Sequence, residues 1–297
     1  MSAKHPIVGV TGSSGAGTST VLRLFAQLSS ELEVRAAFVE GDAFHAYDRE
    51  QLRTAMQRAR IRGENFSLFG ASNNLLDRLE SLLRDYGARG SGMTRHYLHT
   101  DSEAIEAGQP PGTFTPWTPL AVDTDILFYE GLHGGYVSDD TNIARHMDLL
   151  IGVVPVINLE WIQKLRRDTE ERGYEPEAVA NTILRRMPDY VHHITPQFSN
   201  TDINFQRVPL VDTSNPFAVR EIPKPEESLV VVHYNEHSRV KVNFDMLIAR
   251  LPGAFQSHPQ ALVVPGALME SAMALILKPA IDKLILRRRE ALARERL

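Results

Sequence analysis

A chain of 297 residues with 43% hydrophobic content is too apolar to stay disordered and long enough to bury one large core or two modest ones. Its formal charge of −5 argues against a general attraction to nucleic acid or to an anionic membrane, so any anion it holds must meet a local basic pocket. The absence of cysteine excludes disulfides, thiolate metal sites and thiol-based redox control together. No apolar run reaches the roughly 18 residues of a spanning helix, and "KHPIVGV" is too short for the apolar part of a secretion signal. A cytoplasmic protein with no membrane association is expected.

Short apolar runs then alternate with helix-period segments, the pattern of a parallel sheet covered on both faces, and one α/β domain over residues 1–297 is expected. "PIVGV" reads as the first strand and "TVLRLFAQLSSEL" as the first helix, separated by the glycine-rich run "VTGSSGAGTST". "RAAFVEGD", "DILFYEGL" and "DLLIGVVPVI" read as the second, third and fourth strands. Between the second and third, residues 46–123 form a long insertion expected over the active site, with an amphipathic helix around "NLLDRLESLLRDYG" and a proline-rich connector "GQPPGTFTPWTP". Further on, "ESLVVVHYN" and "QALVVPG" read as strands, and the last 30 residues as a helix that Pro279 should kink. Its basic end suits a solvated helix terminus.

A strand, a glycine-rich turn and a helix set backbone N–H groups and a helix N-terminus around an anion, and that cradle needs no side-chain charge. The run Gly12, Ser13, Ser14, Gly15, Ala16, Gly17, Thr18, Ser19, Thr20 has this frame. The dinucleotide pattern G-x-G-x-x-G fails, because Thr20 stands at the third glycine position after Gly15 and Gly17. A nucleoside triphosphate is the better ligand, and Ser19 stands where a hydroxyl would ligate its magnesium. Thr18, however, occupies the slot of the customary lysine. Unit charges about 4 Å apart at an effective dielectric near 20 interact by roughly 4 kcal/mol, so that loss costs on the order of a thousandfold in rate unless a substitute exists.

The segment "EWIQKLRRDTEERGY" offers one. Lys164, Arg167 and Asp168 fall at i, i+3 and i+4, with Arg172 a turn beyond, so one helix face can carry all four. Such a pattern also suits an exposed salt-bridged helix, but this one begins at the carboxyl end of the fourth strand, where ligands gather in open α/β sheets. Asp42 ends the second strand with His45 and Arg49 following, a carboxylate able to accept a hydroxyl proton beside two groups suited to a sugar phosphate. Glu130 ends the third strand, a common place for a metal-coordinating acid. Either acid alone also fits a solvated strand end; together with the loop they make a kinase constellation. His192 and His193 are adjacent and without a third ligand, so no zinc site is assigned, and Trp117 and Trp161 read as packing residues.

The runs "VTGSSGAGTST", "EGDAFH", "LFYEGLHGG", "GVVPVINLEWIQK", "TPQFSNTDINFQRVP" and "VDTSNPF" resemble bacterial phosphoribulokinases over nearly the whole chain. The resemblance implies a P-loop kinase-like fold, a mixed, mostly parallel sheet flanked by helices, with a helical insertion and a lid. It implies phosphorylation of D-ribulose 5-phosphate at O1 with ATP and Mg²⁺, with threonine in the lysine slot and Lys164 making good the lost charge. By motif, Asp42 is similar to the general base, Arg167 and Asp168 to active-site residues, and Ser19 and Glu130 to metal-side groups. His45, Arg49, Tyr97, His99 and Arg172 resemble sugar-phosphate contacts, with Arg185 and Arg186 on a flexible lid. The resemblance also implies a homo-oligomer. Bacterial members respond to NADH and AMP through arginine-lined sites, but His233, Tyr234 and Asn235 stand after "LVVV", which argues against NADH control; Ala16 stands where plant forms carry a regulatory cysteine. "GTFTPWTPL" and "YEGLHGG" resemble a subgroup from bacteria that need not fix carbon. Two alternatives stay open: a kinase of the same fold for another sugar phosphate or a nucleoside-like acceptor, and an ATP-sensing regulator without turnover.

Overall fold

The computed structural model describes residues 3–12, 18–154, 156–171, 173–219 and 221–295. Strand β1 (Ile7–Thr11) leads to α1 (Thr18–Glu31) and β2 (Ala36–Glu40). The insertion carries α2 (Arg49–Ile61), α3 (Leu76–Arg89), β3 (Met93–Thr94), α4 (Asp101–Ala107) and β4 (Thr118–Pro119). The chain returns through β5 (Ile126–Gly131) and β6 (Leu149–Val153) to α5 (Ile157–Arg166) and α6 (Pro176–Asp189). It finishes with β7 (Ile203–Pro209), β8 (Ser228–Tyr234), α7 (Phe244–Arg250), β9 (Phe255–His258), β10 (Ala261–Pro265) and α8 (Met269–Glu295).

The main sheet has the order β2-β5-β1-β6-β7-β8-β10-β9, parallel from β2 to β7 and antiparallel from β7 to β9. Strands β1 and β6 are buried along their full length, which is why their sequences are continuous apolar runs. The period-2 alternation still sorts their side chains between two cores. Val8, Val10, Ile126, Phe128, Leu149 and Ile151 pack under α1, α7 and α8. Ile7, Leu127, Tyr129 and Leu150 pack on the other face against Leu79, Leu82, Leu83 and Tyr86 of α3.

The expected strands form, and two more join them. In β7, Asn204, Gln206 and Arg207 dilute the apolar signal, and its strand character comes from pairing with β6 and β8 on either side. At the far edge, every residue of β9 is exposed. Helix α2 carries Leu52, Ala55, Met56 and Ala59 at helical spacing and opens on a capping box between Asp48 and Gln51. The basic end of α8 is not simply solvated, since Arg288 pairs with Asp125 at 2.9 Å.

A third apolar cluster stands apart from both cores. Leu165, Val179 and Ile183 pack there with Trp161 and Phe217, whose rings stack with centroids 5.4 Å apart. It joins α5 to α6, the helix that carries Arg185 and Arg186, the residues expected on a lid. Beyond Arg166 the helix widens into a π turn over Arg167–Glu171.

Candidate active site

The register of the parallel strands brings the functional segments to one edge. Thr11 lies beside Gly131 on one side and Gly152 on the other, and Glu40 lies beside Glu130. The glycine loop, Asp42, Glu130 and helix α5 therefore all leave the carboxyl ends of adjacent strands, where an open α/β sheet binds its ligands. The loop is flanked by a strand and a helix, β1 ending at Thr11 and α1 starting at Thr18. Ser13, Ser14, Gly15, Ala16 and Gly17 lie outside the described residues, as do the Ser19 side chain and Arg172. Gly41 and Gly131 touch where β2 and β5 end: a Cβ on Gly41 would come within 2.8 Å of the Gly131 Cα. Glycine at both positions brings the Asp42 turn against the Glu130 turn.

Glu130 is pushed up from 4.5 to about 7, first by burial and then by the negative charges of Asp42 and Glu40, against which a hydrogen bond from the Thr18 hydroxyl works. The residue in the lysine slot thus contacts this acid. A carboxylate held back from ionising by burial and by other carboxylates is a group that a divalent cation would return to its anionic form. A carboxylate oxygen is the kind of donor that a hard cation such as Mg²⁺ takes.

Asp42 sits between two histidines. His45 Nε2 is 3.0 Å from its Oδ1 and His99 Nε2 is 3.4 Å from its Oδ2. The Asp42 side chain is 41% exposed and that of His45 only 7%, so the acid can meet a substrate and His45 buttresses it from behind. His45 Nδ1 faces Asn74 Oδ1 at 2.7 Å, which leaves neither ring nitrogen free for a phosphate in this arrangement. Arg49 reaches the carbonyl of His99 at 3.1 Å, and the Tyr97 and His99 rings meet edge-on at 4.7 Å, so Arg49, Tyr97 and His99 form one wall beside Asp42.

The cationic arm is the second half. Lys164 Nζ donates to Asp168 Oδ2 at 2.5 Å, and Arg167 donates to Asp168 Oδ1 at 3.2 Å. Burial lowers the Lys164 pKa, the Asp168 partner raises it, and Arg186 and Arg167 lower it further. Arg186 turns inward as well: its Nε is buried without a hydrogen-bond partner, and burial followed by the charge of Arg185 lowers its pKa. Arg185 is exposed on the same helix. The spacing argument that placed Lys164 against Asp168 therefore holds across the start of the π turn.

A family model described as the phosphoribulokinase / uridine kinase family matches residues 7–214. The chain belongs to this family. It is 54% identical to a plasmid-borne phosphoribulokinase of Cupriavidus necator over 98% of this chain and 99% of that one. It is 53% identical to a probable phosphoribulokinase of Escherichia coli K12, covering 96% and 98%. The solved phosphoribulokinase from Rhodobacter spheroides superposes with a TM-score of 0.88 at 47% identity, covering 97% of this chain and all of that one.

In this member of the phosphoribulokinase / uridine kinase family, several supporting residues carry no sequence signal strong enough to single them out. Arg95 bonds the carbonyls of Ala43 and His45 at 2.7 Å each and lies over the Phe114 and Trp117 rings, clamping the Asp42 turn. Trp117 also lines a cavity of about 500 Å³ between α3 and the β3-β4 ribbon. His133 is fully buried, and its Nε2 donates to the Phe69 carbonyl at 3.0 Å; burial lowers it to about 4. Asn235, after β8, is bonded to the carbonyls of Phe198 and Thr201, a packing role. No group of three or more His, Cys, Asp or Glu side chains that could hold a metal occurs among the described residues.

Proposed function

We propose that this chain transfers the γ-phosphoryl group of ATP to O1 of D-ribulose 5-phosphate, giving ribulose 1,5-bisphosphate and ADP. The observation that carries the reading is the accessible Asp42 carboxylate, flanked by His45 and His99, on the same sheet edge as the loop ending at Thr18 and the Lys164 arm. Backbone N–H groups between Gly12 and Thr20 hold the nucleotide phosphates. Asp42 takes the O1 proton as the hydroxyl attacks phosphorus. Lys164 and Arg167 balance the charge spread over the transferred phosphoryl, and Arg186 adds a third cation from the lid side. Asp168 holds Lys164 and Arg167 in place.

Arg49, Tyr97 and His99, joined by Arg172 and Arg185, bind the sugar phosphate. His45 acts through Asp42. Glu130 and Ser19 would hold Mg²⁺, which when bound would supply positive charge beside the nucleotide phosphates. Closure of the α5-α6 segment excludes water, which would otherwise compete with the sugar for the phosphoryl group. The 1–297 chain works as one domain, with the 46–123 insertion forming the acceptor side of the site.

A coupled assay of ADP release from MgATP against a panel of pentose and hexose phosphates tests the proposal. Turnover is expected with ribulose 5-phosphate. Turnover confined to another acceptor would move the chain to a different kinase of the same family, and tight ATP binding without release would make it a sensor. Asp42→Asn is expected to reduce turnover by roughly 10²- to 10⁴-fold with ATP affinity little changed.

A further inference from the structure

His45 has both ring nitrogens against oxygen, Nδ1 at 2.7 Å from Asn74 Oδ1 and Nε2 at 3.0 Å from Asp42 Oδ1. Asn74 decides which nitrogen carries the proton. Its amide nitrogen donates to the carbonyls of Leu68 at 2.9 Å and Gly70 at 2.8 Å. Turning the amide over would set its oxygen against those two carbonyl oxygens, so the oxygen is the atom that meets His45. An amide oxygen only accepts, and Nδ1 must donate.

The pairing is fixed from both directions along the chain. Leu75 N donates to Phe44 O at 2.7 Å and Ala46 N to Asn73 O at 3.0 Å, so the segment before α3 runs beside the turn that carries Asp42. Asn73 Nδ2 holds the Ser67 carbonyl at 2.5 Å and steadies the same buttress. His45 is 6% exposed, so water does not compete at Nδ1. The other charged or titratable groups around it are Asp42, His133, Arg95 on its carbonyl, and His99 beyond Asp42.

We propose that Asn74 is a positioning residue for phosphoryl transfer, holding His45 in the tautomer with its proton on Nδ1 so that Nε2 faces Asp42. Neutral His45 then turns a lone pair toward Oδ1. That lone pair opposes the bare carboxylate and accepts a hydrogen bond from the carboxyl once it has taken the substrate proton. The opposite tautomer would donate Nε2–H and favour the carboxylate, leaving a weaker proton acceptor. In the reaction the O1–H bond breaks and an Asp42 O–H bond forms. O1 bonds to the γ-phosphorus, and the bond from that phosphorus to ADP breaks with its electron pair leaving on ADP. This inference rests on the reading of Asp42 as the base.

The test is a long-range ¹H–¹⁵N spectrum of the histidine-labelled full chain, taken above the pH range in which imidazole is charged, with the His45 signal identified by its loss in His45→Gln. The wild-type ring is expected to be protonated on Nδ1. In Asn74→Leu the neutral ring should move toward the Nε2–H form, and kcat should fall roughly tenfold to a hundredfold while KM for ATP changes little. Asn74→Asp keeps an oxygen at Nδ1 and, like Asn74→Leu, loses both donors to Leu68 and Gly70, so the two variants differ at Nδ1; it should keep the Nδ1 proton and lose less of kcat than Asn74→Leu. A wild-type ring protonated on Nε2, an unchanged kcat in Asn74→Leu, or equal losses in the two variants would overturn the proposal. If Asn74→Leu does not fold, since it also releases Leu68 and Gly70, the wild-type spectrum decides alone. A protein inactive toward ribulose 5-phosphate would overturn the activity reading, and the His45 spectrum would still decide whether Asn74 sets the tautomer.

Discussion

Replacing Glu130 with glutamine should stabilise the ligand-free protein while abolishing its chemistry, and the gain should depend on pH in a defined way. In the unfolded chain this carboxyl ionises near its ordinary 4.5, and in the folded chain at about 7. Between those values the folded state binds more protons than the unfolded state, so stability falls as pH rises, and above about 7 the full difference is lost. At 1.36 kcal/mol for each pH unit the total is about 3 kcal/mol, of which about 2.5 kcal/mol falls between about pH 5 and about pH 8. Glutamine has no such charge to bury. Urea unfolding of both proteins in EDTA, followed by circular dichroism at those two pH values, measures the double difference, in which any pH-independent packing change cancels. Glu130→Gln should gain about 2.5 kcal/mol on wild type over that interval. The same stability difference at both pH values would refute the argument that burial and neighbouring acids hold this carboxyl in its protonated form.

Three further outcomes follow from other parts of the structure. Lys164→Met should cut kcat on the order of a thousandfold in the coupled assay, and a loss below about tenfold would mean that another cation replaces the absent loop lysine. His133 takes a proton near 6.5 when unfolded but only at about 4 when folded, so it withdraws stability as pH falls through that window. His133→Gln, which keeps a donor for Phe69, should be about 2 kcal/mol better relative to wild type near pH 4.5 than near pH 7 by urea unfolding. Asp202 is fully buried and binds Arg239 at 2.6 Å and the Leu150 N–H at 2.8 Å. Asp202→Ala should cost about 3 to 5 kcal/mol, read as a lower urea midpoint.

The parts of this molecule that depend on runs of apolar side chains are legible in the chain itself. "PIVGV" and "DLLIGVV" can only be satisfied by burial on both faces, and that requirement places the glycine loop and helix α5 at strand ends. The Lys164-Asp168 contact is legible for a different reason, because i, i+4 spacing survives the change from α to π geometry. Strand β7 was not legible, since Gln206 and the adjacent Arg207 break the alternation of Ile203, Asn204 and Phe205 after a few residues, and pairing with β6 and β8 supplies the rest. Asn74 and Arg95 were hidden for a similar reason. Their partners are backbone carbonyls of distant segments, and a carbonyl leaves no mark in the sequence. The inward turn of Arg186 depends on how α6 packs over α5, which its polar surroundings in "ILRRM" do not disclose.

The cluster of Trp161, Leu165, Val179, Ile183 and Phe217 gives the α5-α6 segment a nucleus of its own, separate from the two cores that hold the sheet. A segment that carries its own apolar contacts can swing away from the nucleotide edge as a preassembled flap without wetting the main core. Its opening is then a cheap excursion from the native state, and amide hydrogens along α6 should exchange with solvent long before those of β1 or β6.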